Sequence, residues 1–319
     1  MEHHLGLARF SYSWPGRANP CFLRLYSCYV SMPTKLEEII AATRQRVASA
    51  KQLGDRRALT TAAEQHQPRG FRAGLTRAAK SGIAIIAELK KASPSKGLIR
   101  GDFPVAELAK ELENAGAAAL SVLTEEQFFQ GSLQNLELAS HATRLPCLRK
   151  DFIVDEFQLW EGRAHGADAV LLIAAALTQA ELTSLLRRAA GLQLDVLCEV
   201  HDGAELQRAL DAGCQIIGVN NRNLHTFRVD LNTSLQLAWL IPPAVVKVAE
   251  SGIETGDDIA SLREAGFDAF LIGESLMRAT RPGEALLHLL NAAIVLDKGI
   301  AEPPKEAKEL SAALQRWTK

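Results

Sequence analysis

Four times along the chain a polar, helix-like stretch closes on a glycine just before a short apolar run. These are Asn114-Ala115-Gly116, Ala164-His165-Gly166, Asp211-Ala212-Gly213 and Glu264-Ala265-Gly266, followed by AALSVL, DAVLLI, CQIIGV and DAFLIG. Glycine after a helix supplies the left-handed residue that closes it, and short runs rich in Val, Ile and Leu read as buried parallel strands. Extending the same punctuation predicts strands at Ile83–Glu88, Ala118–Leu123, Pro146–Lys150, Ala169–Ala174, Asp195–Val200, Ile216–Asn220, Val245–Ala249 and Ala269–Ile272. Each interval holds room for one helix, and several open with caps: Thr178 with Glu181, Asp202 with Glu205, Thr255 with Asp258. A doubly wound open sheet shares the alternation. Even spacing over a span typical of one barrel, roughly 200 to 250 residues, favours closure into a (β/α)8 TIM barrel.

Ahead of the first strand, Lys35 to Lys80 is helical with charged faces and a break at Gln67-Pro68-Arg69-Gly70. The domain reading is therefore a barrel over 32–295 that includes an N-terminal helical extension, 32–81. Such an extension serves either to enclose the substrate at one end or to plug the floor at the other. Residues 1–31 carry three Arg, three Tyr and one acid, without an amphipathic helix or a signal-peptide core. They are expected to be a disordered tail or an over-extended start, with Met32-Pro33-Thr34 resembling a natural beginning and a transit peptide as the alternative. Residues 296–319 are expected to form a C-terminal tail or helix, charged around Pro303-Pro304, leaving the chain monofunctional.

The composition changes this picture only by exclusion. The chain is 47% apolar, with 36 basic and 37 acidic residues and a net charge of −1. No apolar stretch approaches the ~18 residues of a membrane helix, and no basic run suggests nucleic acid, so neither is an expected partner. Five cysteines (Cys21, Cys28, Cys147, Cys198 and Cys214), an odd number without metal-type pairing, fit a reducing cytoplasm. Oligomeric state is not readable.

Chemistry in a barrel gathers at the C-terminal ends of its strands. Side chains alternate with period two, so Glu88 shares a face with Lys90, Leu148 with Lys150, Leu197 with Glu199, and Asn220 with Arg222. One charge at a strand end is ordinarily solvated or salt-bridged. Two Lys, two Glu, an Asn and an Arg converging from four strands make a candidate site. The last two strands end differently, in Glu250-Ser251-Gly252 and Gly273-Glu274-Ser275. Small residues there let backbone N–H groups approach an anion, which suggests a phosphorylated small-molecule substrate.

The blocks IAELKKASPSKG (from Ile86), LRKDFIVDEFQ (from Leu148), CEVHD (from Cys198), IIGVNNRNL (from Ile216), VAESGI (from Val248) and FLIGESLM (from Phe270) resemble the indole-3-glycerol-phosphate synthase family, in order, from about Lys35 to about Leu290. The resemblance implies a carboxy-lyase of tryptophan biosynthesis that acts without metal or organic cofactor. Its substrate would be 1-(o-carboxyphenylamino)-1-deoxyribulose 5-phosphate, closed, decarboxylated and dehydrated to indole-3-glycerol phosphate. Matched residue by residue, Lys150 is the general acid, Glu199 the general base, Lys90 a second acid, and Glu88 and Asn220 further catalytic positions. Arg222 and Glu250 would orient the ribulose chain, and Ser93 would meet the substrate carboxylate. Phe129, Phe152 and Leu224, with Pro94, would wall the aromatic ring, although ordinary packing also explains such residues. Ser251, Gly252, Gly273 and Glu274 would hold phosphate. Many relatives carry Ser at position 274; a glutamate offers only its backbone N–H, and its carboxylate is expected to turn away. The loop Ser93 to Gly101 reads as a lid. A Schiff-base lyase or aldolase, and a non-catalytic scaffold, are the competing readings.

Overall fold

A computed structural model describes residues 34–296 apart from His225. The tails expected at 1–31 and beyond Leu296, the start at Met32, and Cys21 and Cys28 lie outside the described residues. Eight parallel strands close into a barrel in the order β1-β8-β7-β6-β5-β4-β3-β2. They are β1 (Ala84–Leu89), β2 (Ala119–Leu123), β3 (Cys147–Lys150), β4 (Ala169–Ile173), β5 (Asp195–Val200), β6 (Ile216–Asn220), β7 (Val246–Glu250) and β8 (Ala269–Ile272). The fold expected from the apolar pattern is therefore present, and its strand ends differ from expectation by at most one residue. The shift at β7 matters most, because Glu250 becomes the last residue of the strand, in register with Asn220.

The alternation sorts each strand between two cores. Ile85, Ala87, Leu120, Val122, Val170 and Leu172 face outward into the layer beneath the helices. Ile86, Ala119, Leu148, Leu171, Leu197 and Val248 face the barrel axis. The caps act as expected: Thr178 and Thr255 form capping boxes with Glu181 and Asp258. Asp202 accepts from the Glu205 N–H at the start of the helix Gly203–Ala212.

The extension forms α1 (Lys35–Leu53), α2 (Arg56–Gln65) and α3 (Phe71–Ser81), and it serves both ends of the barrel. Thr34 and Glu37 cap α1 reciprocally, and Ile39, Thr43 and Val47 on it are buried. Its first turn reaches the barrel mouth. At the other end α3 sends Phe71 and Leu75, both fully buried, into the axial core beside Ala84, Ala119, Ala169 and Ala269, the first residues of their strands. Small residues at those strand starts leave the space that the plug fills.

Arg69, just before α3, staples the plug to the floor. Its Nη2 lies 2.6 Å from the fully buried Asp168 carboxylate, and its Nη1 donates to the Ser140 and Thr143 carbonyls at 3.1 and 3.2 Å. Asp168 also accepts from the Cys147 N–H at 2.6 Å, tying β3 to the same carboxylate. Burial opposes the ionised form of Asp168, but His66 and Arg69 outweigh it and hold its pKa below the ordinary carboxylate value. Removing one partner of a buried pair strands the other charge. Arg69→Ala is therefore expected to cost roughly 3 to 5 kcal/mol, measured as a lower midpoint in urea unfolding. A midpoint equal to the wild type would refute the staple.

Candidate active site

The inward face of each strand runs from apolar at the floor to charged at the mouth. Above Ile86, Leu148, Leu197 and Val248 on the same faces stand Glu88, Lys150, Glu199 and Glu250, each two residues further along. Period two carries the side chains into one layer, and burial then makes them depend on one another.

Lys150 is the centre of that layer. Its Nζ lies 3.0 Å from Glu199 Oε2 and is also ion-paired with Glu250 Oε2. Burial opposes the ammonium form, but Glu199, Glu250 and Glu88 outweigh it and raise the Lys150 pKa above its ordinary value. Glu199 moves the opposite way. Burial favours its neutral form, yet Lys150, His201 and a hydrogen bond from Asn220 keep it ionised well below the ordinary carboxylate range. Burial dominates at Glu250, which rises to about 7 despite Lys150.

Two glycines make the layer possible. A Cβ on Gly218 of β6 would overlap the Glu250 carboxylate, and one on Gly273 would come 2.6 Å from Glu88 Oε1 and 2.8 Å from its Cβ. Glycine at these positions is thus explained by close carboxylates, in addition to the backbone role expected for Gly273.

Lys90 pairs with Glu88 at 2.6 Å, and the Ser121 hydroxyl donates to the other Glu88 oxygen at 3.3 Å. Phe129 and Phe152 stand with ring centroids 6.1 Å apart and tilted by 42°. The Glu125 carboxylate accepts from the N–H groups of Phe128 and Phe129, fixing the loop that presents the first ring. Asp151, fully screened from water, accepts from Thr124 Oγ1 at 2.7 Å, Arg149 Nη2 at 2.8 Å and the Phe152 N–H at 2.8 Å, fixing the second. The Lys-Asp-Phe sequence therefore places a charge, the anchor of the loop that follows and an aromatic wall in consecutive residues.

One cavity at the mouth is lined by Glu88, Lys90, Ser93, Phe129, Lys150, Phe152, Glu199, Asn220, Arg222, Leu224, Glu250, Ser251 and Glu274. A second, sharing Glu88, Lys90, Arg222, Ser251 and Glu274 with it, is lined also by Gly252 and Gly273. Every residue expected at the site thus borders one of two adjoining cavities. Ser251 and Gly252 take positive φ, 67° and 77°, in succession. For Ser251 that conformation is unusual, and strained backbone of this kind gathers at functional sites.

Glu274 departs from expectation. Its carboxylate does not turn away but stays on the wall of both cavities, 3.2 Å from Arg278 Nε, 3.5 Å from Lys96 Nζ and 3.6 Å from Arg222 Nη2. Partial burial opposes its charge, but Arg278, Lys96 and Lys90 outweigh this and hold its pKa below the ordinary value. Attraction to these cations prevails over solvation. Through Lys96 it also touches the loop after β1, which folds as a two-residue hairpin, Ala92–Ser93 against Gly97–Leu98. Arg100, at the foot of that loop, donates to the Met277 and Ala279 carbonyls at 3.2 and 2.8 Å.

Sequence reasoning missed several cavity residues. Lys35, Leu36 and Ile39 line the mouth from α1, a contact that no local signal in a preceding helix discloses. Lys35 Nζ also sits 4.7 Å from the Phe128 ring centroid. His201 was within reach, because the parity that joins Glu88 to Lys90 joins Glu199 to His201. Asn221 was missed as a structural tie: its Nδ2 donates to the Glu250 and Ser251 carbonyls at 3.1 Å each, fastening the end of β6 to that of β7.

Residues 36–289 match the family described as indole-3-glycerol phosphate synthase. A protein of that name from Koribacter versatilis (strain Ellin345) is 57% identical over 259 residues, covering 81% of this chain and 100% of the relative. Another from Variovorax paradoxus (strain S110) is 48% identical over 264 residues, covering 81% and 99%. Among solved structures, 3-hexulose-6-phosphate synthase from Salmonella typhimurium superimposes with a TM-score of 0.55 at 12% identity, covering 67% of this chain and 100% of the other. That likeness concerns the fold alone.

The packing of Gly218 against Glu250 has a direct test. Gly218→Ala is expected to lower stability by roughly 1 to 3 kcal/mol through overpacking. Gly191→Ala, whose added carbon would meet nothing within 4 Å, is expected to be neutral or slightly stabilising. Thermal unfolding of the two variants compares them, and equal midpoints would remove the proposed reason for glycine at 218.

Proposed function

The chain belongs to the indole-3-glycerol phosphate synthase family, and we propose that its barrel mouth performs the reaction with Lys150 as general acid and Glu199 as general base. The substrate is 1-(o-carboxyphenylamino)-1-deoxyribulose 5-phosphate. The observation that carries this assignment is the part-buried Lys150 ammonium held against two carboxylates from two other strands. An acid must be protonated before the reaction and a base ionised, and the same ion pair keeps Lys150 protonated and Glu199 ionised at neutral pH.

In the first step the aryl carbon bearing the carboxylate attacks the sugar ketone, and Lys150 delivers a proton to the carbonyl oxygen. Carbon dioxide leaves with its bonding electrons returned to the ring, which restores aromaticity. Glu199 then takes a proton from carbon as the hydroxyl departs with a proton from Lys90, giving water and the indole double bond. Glu88 holds Lys90, and Asn220 holds Glu199. Arg222 and Glu250 orient the ribulose chain, and Phe129, Phe152 and Leu224 enclose the ring away from water. Ser93 meets the substrate carboxylate. The backbone at Ser251, Gly252, Gly273 and Glu274 takes the phosphate; successive backbone N–H groups in such turns form anion-binding concavities. The loop Ser93 to Gly101 closes over the bound substrate.

A Schiff-base mechanism through Lys150 is the competing chemistry, and borohydride would trap its imine. The raised Lys150 pKa disfavours it, because an imine forms from a neutral amine.

Indole fluorescence on mixing substrate with the purified protein measures the reaction. Lys150→Ala and Glu199→Gln are each expected to lower kcat by about 10²-fold or more; a wild type that yields no indole would sink the reading. Glu274→Ser is expected to lower KM several-fold without changing kcat, because it removes a carboxylate from beside Lys96 and Arg222 where phosphate would sit. An unchanged KM would place the phosphate elsewhere. Ser93→Ala is expected to raise KM, and an unchanged value would count against its carboxylate contact.

A further inference from the structure

Glu199 has two carboxylate oxygens, and Lys150 engages one. The other, Oε1, lies 3.4 Å from Nε2 of His201, one residue beyond the end of β5. That approach is an ion-pair contact without hydrogen-bond geometry, and Nε2, buried, has no hydrogen-bond partner among the described residues. The opposite ring nitrogen is firmly held. Nδ1 lies 3.0 Å from Glu205 Oε2, which also accepts the His201 backbone N–H at 2.9 Å. The Glu205 N–H in turn donates to Asp202 at 2.8 Å, at the capped start of the helix Gly203–Ala212. A histidine held to a helix start through both its ring and its backbone N–H, and aimed at a carboxylate, is a rigid support for that carboxylate.

We infer that His201 is a positioning residue, which as an imidazolium bridging Glu205 and Glu199 holds the base in one orientation and keeps it ionised until substrate arrives. The inference rests on Glu199 being the base. Burial alone would lower the imidazole pKa, but Glu199 and Glu205 outweigh it and raise it to about 10, so the ring stays charged across neutral pH. The other groups facing Glu199 are Lys150 from β3, Glu250 from β7 and the neutral Asn220 from β6, with Glu88 from β1 acting on Lys150 and Glu250 behind them. On β5 itself, the Cys198 thiol is raised by its hydrogen bond with Cys214 and by burial, and stays undissociated. The cations beside Glu199 are thus Lys150 and His201.

The sign follows. His201 helps to depress the Glu199 pKa, so removing it lets that pKa rise and moves the acidic limb of the kcat profile to higher pH. His201→Ala is expected to lower kcat roughly tenfold, well under the effect of removing the base itself, with KM unchanged and the acidic limb shifted upward. His201→Asn restores an N–H donor without charge; it is expected to recover most of kcat at pH 8 while keeping the shifted limb, and it carries the test if the alanine variant does not fold. Wild-type limbs in both variants, with Glu199→Gln inactive, would overturn the inference alone, as would a raised KM at unchanged kcat. A fully active Glu199→Gln would overturn the base assignment and this inference with it.

Discussion

The ammonium of Lys150, largely withdrawn from water, is the constraint from which the rest of the site follows. An ion taken out of water costs several kcal/mol unless charge and hydrogen bonds replace the solvent. Lys150 therefore requires Glu199 and Glu250 beside it, and Glu250 requires a glycine at 218 because any side chain there would occupy its space. Lys90 and Glu88 repeat the logic, with Gly273 making the room. A lysine at one strand end thus dictates residue choice on its neighbours. The apolar axial core beneath supplies the low-dielectric setting in which these pairs shift each other's protonation.

The charge balance of that layer explains why its members do not titrate alike. Glu88, Glu199 and Glu250 share the mouth with Lys90 and Lys150, so one carboxylate is in surplus. Glu199 and Glu88 are held ionised, whereas at Glu250 burial dominates and the neighbouring Glu199 and Glu88 charges add to it, so that its pKa rises to about 7. His201 with Glu205 adds a cation and an anion, so it changes the orientation of charge around Glu199 more than its sum. One layer therefore contains an ammonium held protonated and a carboxylate held ionised, each by its neighbours' charges.

The extension ahead of β1 shows how a closed barrel uses chain at both ends. A barrel floor exposes the axial core to water unless something covers it, and Phe71 and Leu75 of α3 do so. The mouth needs walls beyond the reach of strand ends, and α1 supplies Lys35, Leu36 and Ile39. Arg69 and Asp168 lock the floor contact, so separate helices of one extension serve the floor and the mouth.

Strand number, strand position and most of the site were legible because each rests on local periodicity. Glycine after a helix marks the next strand, period two assigns faces, and strand ends in a barrel face one opening, so Glu88, Lys150 and Glu199 were found as a layer from residue spacing. What stayed hidden depends on through-space neighbours. Nothing near Glu274 in the chain shows that Lys96 and Arg222 hold its carboxylate on the cavity wall, and nothing in α1 shows that it borders the mouth. The reason for Gly218 appears only when Glu250 is seen to lie against it. The sequence by itself determined the barrel and the order of charges along each strand, because backbone sterics and alternation act between near neighbours. Only the tertiary structure decided which charges pair and which lose their ordinary pKa, because Coulomb forces and burial act between residues that the chain brings together from far apart.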